Sequence, residues 1–265
     1  MNLPMNLRRS APAALLISAA LALAGCGQTT TPATSPANTV EPASAAASQA
    51  AGQPRSAAPT PTPTPTPKAF TGAELTAIIA GLADGEGNAL TVVPAEQLEK
   101  GIEISKQTMS EAVISPAECA VVADSNAQIP AGSTYAGGVA KSTTVQALTV
   151  VTLVAVADQK QLGVNLEAAV AKSKKCTNFS MEIRGQKITS QTEILPVKTS
   201  ADTSFGSLAT QTLPSGQLMT TLLVTGVKGN LSASAVATGP DVTRAAAATL
   251  ARLVDEALAQ GATRS

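Results

Sequence analysis

Apolar positions from residue 70 onward alternate between helical spacing and strand spacing. Leu75, Ile78, Ile79 and Leu82 recur at the helical period, on one face. Thr71-Gly72-Ala73-Glu74 precedes them as a capping box, in which the threonine hydroxyl serves one orphan amide and the glutamate reaches back to another. A helix is therefore predicted from Thr71, ended by Gly85 and Gly87. Ala89 to Val93 reads as a short strand, and Pro94 to about Met109 is ambiguous but helical at its start. Ser115-Pro116-Ala117-Glu118 has the form of a second capping box, with proline at the first helical position and Cys119 in the first turn.

Strand spacing takes over at Thr134. Two runs rich in Val and Thr lie between Thr134 and Val156, and the second, from Val145, is apolar at both parities. A strand of that kind is central and covered on both faces. Asp158 is placed to cap a helix running through Leu162, Leu166, Ala169 and Val170 to Cys176. Strands follow at Asn178 to Arg184, Lys187 to Leu195, Phe205 to Leu213, Gln217 to Val227 and Leu231 to Ala237. The turns between them are short, which implies antiparallel neighbours. A helix from Pro240 to about Gln260 closes the chain, burying Val242, Leu250, Leu253, Val254 and Leu258. The expected fold class is α+β, an antiparallel sheet with helices packed on it, forming one domain over 68–265.

The first 67 residues follow neither pattern. Arg8 and Arg9 give a positive start, Ala11 to Leu23 an apolar run, and Leu23-Ala24-Gly25-Cys26 a cleavage site of small residues. That is the order of a secretory signal, expected over 1–25. The tetrapeptide resembles the lipobox of bacterial lipoproteins, which implies that Cys26 is acylated and that the chain is cut before it. The alternatives are an ordinary signal peptide with an incidental cysteine, or a retained membrane helix. At about 14 residues the apolar run is shorter than the ~20 that a spanning helix needs. Two or more acyl chains on Cys26, palmitate among them, would hold the protein stably at a membrane.

From Cys26 to Pro67 the composition is almost wholly Thr, Pro, Ala, Ser, Gln and Gly, which cannot build a core. The alternating Thr-Pro run over 59–67 favours polyproline II and would span about 28 Å. Its threonines are either O-glycosylated or bare. The expected address is thus the extracytoplasmic face of the cell membrane, with the folded domain held several nanometres away.

Charge adds little, because Lys plus Arg and Asp plus Glu are 18 each, and no net field draws nucleic acid. Absences say more. The chain has no histidine, no tryptophan, one tyrosine (Tyr135) and three phenylalanines. Imidazole-activated nucleophiles and histidine-ligated zinc or haem are excluded, as are an aromatic sugar cradle and a base-stacking platform. No phosphate-binding glycine loop, Gly-x-Ser-x-Gly elbow or Cys-x-x-Cys pair is present. No cofactor and no catalytic residue is expected.

Once Cys26 carries lipid, Cys119 and Cys176 are the remaining thiols, and outside the cytoplasm they are expected to pair. Closing a loop of about 58 residues contributes ~4 kcal/mol in the chain-entropy account. Two buried free cysteines are the alternative.

The order of elements, with Ser115-Pro116-Ala117-Glu118-Cys119, Thr134-Tyr135 and Cys176-Thr177-Asn178 as anchors, resembles the PknH-type extracellular sensor domain of actinobacterial receptor Ser/Thr kinases. The resemblance spans about Phe70 to Gln260 and implies an α+β sensing or ligand-binding module. The chain lacks that domain's second disulfide, and no functional residue is carried over.

Asp84-Gly85-Glu86-Gly87-Asn88 spaces three oxygen side chains as a calcium loop does. Ala89 and Ala95 then stand where such a loop needs glycine and a bidentate glutamate, so helix termination is the better reading and no metal is expected. Lys172, Lys174 and Lys175 read as the cationic last turn of a helix and not as an anion site. The sequence supports a membrane-anchored, non-catalytic module for an envelope ligand or protein partner. A lipid carrier with an apolar cavity, or a cell-wall hydrolase with two convergent carboxylates, is the alternative.

Overall fold

The computed structural model describes residues 69–123, 129–130 and 132–264. The expected signal peptide over 1–25, Cys26 and the expected linker lie outside the described residues. In chain order the elements are α1 (Gly72–Ala80), β1 (Thr91–Val93), α2 (Ala95–Ser110), β2 (Val113–Ser115), α3 (Ala120–Ala123), β3 (Thr134–Lys141) and β4 (Leu148–Ala155). There follow α4 (Gln159–Lys175), β5 (Asn178–Ile183), β6 (Gln186–Leu195), β7 (Thr203–Thr212), β8 (Leu218–Lys228), β9 (Leu231–Gly239) and α5 (Ala247–Ala262).

Among the described residues the strands form one nine-stranded antiparallel sheet in the order β1-β3-β4-β9-β8-β7-β6-β5-β2. β5 to β9 are a meander built from the expected hairpins, and β9 then pairs along the whole of β4. β4 has neighbours on both sides and side chains packed on both faces, as its double-parity apolar run predicts.

One face of the sheet carries α1 and α5. Val151 and Leu153 of β4, Leu222 and Val224 of β8 and the alanines 233, 235 and 237 of β9 meet Ile78, Ile79, Leu253, Val254 and Leu258. Each large apolar side chain buried here contributes roughly 1.5–3 kcal/mol. The β9 alanines let α5 lie close to the strands. On the other face Leu162 and Leu166 of α4 cover Val154, Phe205 and Val227. β3 is approached from both sides: a β-carbon at Gly138 would lie 2.4 Å from Ile79 of α1, and one at Gly137 would lie 3.1 Å from Leu98 of α2. Adjacent glycines are what allow two helices to clamp this strand.

The capping boxes have opposite outcomes. At Thr71 the box is formed, with the threonine side chain accepting from Glu74 N and Glu74 accepting from Thr71 N at 2.8 Å. At Ser115 it is not. Ser115 is the last residue of β2, held in the ladder opposite Ser180, and the chain enters a single 3-10 turn at Ala117–Cys119 with no side-chain cap.

Other boundaries move for identifiable reasons. α1 ends at Ala80, not at Gly85, because Gly81 N–H already bonds the carbonyls of Ile78 and Ile79 and the chain then turns into a bridge between Ala83 and Ala89. Leu82, past the helix, is buried all the same. β1 starts at Thr91, where pairing with Val139 begins. β4 starts at Leu148, since Val145 sits in the β3–β4 turn and is 46 % exposed. α2 is helical throughout. α5 begins seven residues after Pro240, behind a 3-10 turn at Arg244–Ala246.

Candidate binding surface

α1 and α5 lie over β3, β4, β9 and β8, and among the described residues no helix extends over β7, β6 and β5 on that side. Alternation along β6 marks the bare half. Thr189, Gln191 and Glu193 are exposed, whereas Ile188, Thr192 and Ile194 on the opposite face are half-buried. β5 repeats it, with Asn178 and Glu182 outward and Phe179, Met181 and Ile183 inward.

A shallow open groove of about 560 Å³ lies here, lined chiefly by Thr177, Asn178, Gln191, Glu193, Leu208 and Thr210. Asn178, Gln191 and Thr210 stand directly opposite one another across three strands. Thr177 ties the groove's corner: its carbonyl accepts from Thr192 N at 2.6 Å, and its hydroxyl accepts from Asn178 Nδ2 at 3.2 Å. Glu193 is the carboxylate among the lining residues, and Arg244 Nη2 reaches both of its oxygens, one at 2.6 Å.

The disulfide supports this corner. Cys119 and Cys176 are bonded, with Cα atoms 5.5 Å apart, and both are buried. The bond joins the turn after β2 to the end of α4, one residue before Thr177. Asp158 caps α4 by accepting from Lys160 N at 2.9 Å, and Lys172, Lys174 and Lys175 occupy its last turn, away from the groove lining.

The Asp84–Asn88 loop serves the fold. Asp84 is 5 % exposed, and its carboxylate accepts from the backbone amides of Glu86 and Asn88 and from the Asn88 side chain at 3.0 Å. Glu86 turns away and accepts from the Ser142 and Thr144 hydroxyls and from Thr143, whose amide and hydroxyl both lie at 2.9 Å. Those donors, Ser142 foremost, hold its carboxyl well below the usual carboxylate range. Among the described residues no group of three metal-ligating side chains is found. The Ser-Thr-Thr turn was the available signal for this clasp, but nothing local connects it to a residue 56 positions earlier.

No protein-family model matches the sequence, and no curated protein matches it. Solved structures similar to this chain include the extracellular domain of PknH from Mycobacterium tuberculosis, 13 % identical with a TM-score of 0.44 over 72 % of this chain and 93 % of that one. Another is a putative uncharacterised protein from Mycobacterium smegmatis, 15 % identical with a TM-score of 0.43 over 74 % of this chain and 98 % of that one. The first is the domain type whose element order the sequence resembles. No functional residue is carried over from either.

Proposed function

We propose that this protein is a lipid-anchored, extracytoplasmic binding module of the cell envelope that takes its ligand on the bare half of the sheet and does not turn it over. The observation that carries the reading is the grooved, polar half-face over β5, β6 and β7, whose lining presents Asn178, Gln191 and Thr210 and a single carboxylate tied to Arg244. The lipobox-like tetrapeptide ending in Cys26, the Thr-Pro spacer and the Cys119–Cys176 bond support the extracytoplasmic address. An apolar lipid-carrier site fits less well, because Leu208 is the one large apolar side chain that the groove's lining residues present on this face, Ile194 packing on the opposite side of the sheet.

The test is a melting experiment on the full chain in nonionic detergent, with and without a cell-envelope extract. A ligand that prefers the native state adds about 2.7 kcal/mol at a hundredfold excess over Kd. For a domain of this size that corresponds to a rise of roughly 5–10 °C. The extract should be chemically unchanged afterwards. New products, lost on replacing Glu193 by Gln, would turn the reading to hydrolysis.

A further inference from the structure

We infer that the ligand of this half-face is a neutral polysaccharide chain, an inference that rests on the binding reading above. The surface is largely a grid of uncharged hydrogen-bonding groups, bordered in register by the exposed Val113 beside Glu182 and the exposed Leu218 beside Thr212. One row, across β5, β6 and β7, is Asn178, Gln191 and Thr210; the next is Ser180, Thr189 and Thr212. Within the described residues, the side chains of Thr189, Gln191, Thr210 and Thr212 form no hydrogen bond with the protein. Hydroxyls and carboxamides each donate and accept, so the grid suits a ligand that also does both at every unit.

Charge points the same way. The charged groups of the half-face balance in number: Glu193 is held by Arg244, and Glu182 stands across from Lys187 in register, with no ion pair between those two. The resulting face complements an uncharged ligand. A phosphate-rich polymer would meet no unpaired cation in the groove lining, and an acyl chain would meet too little apolar wall. A peptide that extends a sheet by strand addition needs a long free edge, and on this side the edge strand is β2, only three residues long, which covers β5 at Ser180 to Glu182.

Dimensions favour a chain over a single small molecule. Rows cross the sheet with a step of about 4.8 Å from strand to strand, close to the length of one sugar ring, and repeat along each strand every ~6.8 Å. Successive sugars can therefore face successive strands. Leu208 sits beside Glu193 in register and offers the apolar spot against which the C–H face of one ring can rest.

Affinity electrophoresis of the full chain in nonionic detergent tests this, using native gels containing mannan, galactan or a soluble β-glucan, with polyanionic alginate as the charged polymer. At least one neutral polymer should retard the protein. Retardation should fall at least fivefold in the Gln191→Ala/Thr210→Ala variant and persist in Val164→Lys, a change on the exposed side of α4. Melting temperatures of all three proteins verify that they are folded. Retardation by alginate alone, by no neutral polymer, or equally in the double variant overturns the inference. Stabilisation by envelope extract without any glycan response rejects the polysaccharide while leaving the binding reading intact; loss of both responses rejects both.

Discussion

Position 138 admits no side chain. The Cβ of an alanine there would meet Ile79 at 2.4 Å, inside a helix-to-strand contact whose members are fully buried. Overpacking of this kind costs about 1–3 kcal/mol. Gly138→Ala should lower the melting temperature by several degrees, measured by calorimetry, and a variant as stable as wild type would contradict the clamp around β3. Gly137→Ala should cost less, because the 3.1 Å neighbour is the end of the flexible Leu98 side chain.

Glu86 gives a pH-dependent prediction. Its carboxyl is held below its ordinary range by hydroxyl and amide donors, so its charged form stabilises the native state. That contribution is present above the unfolded-state value, ~4.3, and is lost as pH falls below it toward the depressed native value. The stability gap between wild type and Glu86→Gln should therefore be largest near neutral pH and shrink between about pH 5 and pH 2. A gap that widens on acidification would be inconsistent with the clasp. The contrast with Thr71 indicates which residue roles can be read from sequence: the Thr71–Glu74 box closes over three residues, whereas Glu86 finds its donors across the fold.

Among elements, the Cys119–Cys176 bond is the staple. It closes 57 residues of separation and fixes the strand start that forms the groove's corner. Replacing both cysteines by serine should cost about 4 kcal/mol in the chain-entropy account. Melting temperature should fall by roughly 8–16 °C, and the double variant should also bind extract more weakly because Thr177 is no longer anchored. An unchanged melting temperature would contradict that role. The meander of β5 to β9 was legible because each hairpin is marked by local turn residues, as at Gly185 and Gly216, both at positive φ. The placement of β9 beside β4 was not, since nothing near Leu231 refers to Ala155, its partner across the ladder. β2 escaped detection because three residues carry no measurable alternation, and Ser115 before a proline reads more readily as a cap than as a strand end.

At the scale of the whole molecule, the fold class followed from the sequence, but the half-bare face did not. Periodicity identifies which side of a strand is apolar; it does not say how far a helix reaches across the sheet. The polar outward positions 189, 191 and 193 of β6 were visible as alternation, yet they looked like any solvated strand face until α5 was seen to stop short of them. The proposed anchor is tested separately. Metabolic labelling with a fatty acid should mark the wild-type chain and not Cys26→Ala, and equal labelling of both would sink the lipoprotein reading.

The central claim is that ligand is taken on the bare half of the sheet, and a charge placed in the groove tests it most directly. Thr210→Lys puts an ammonium group between Gln191 and Thr220, whereas Val164→Lys adds the same charge to the exposed side of α4. With envelope extract at saturation, wild type and Val164→Lys should both rise by roughly 5–10 °C in melting temperature, and Thr210→Lys should not respond. A Thr210→Lys protein that is stabilised as strongly as wild type would contradict the account.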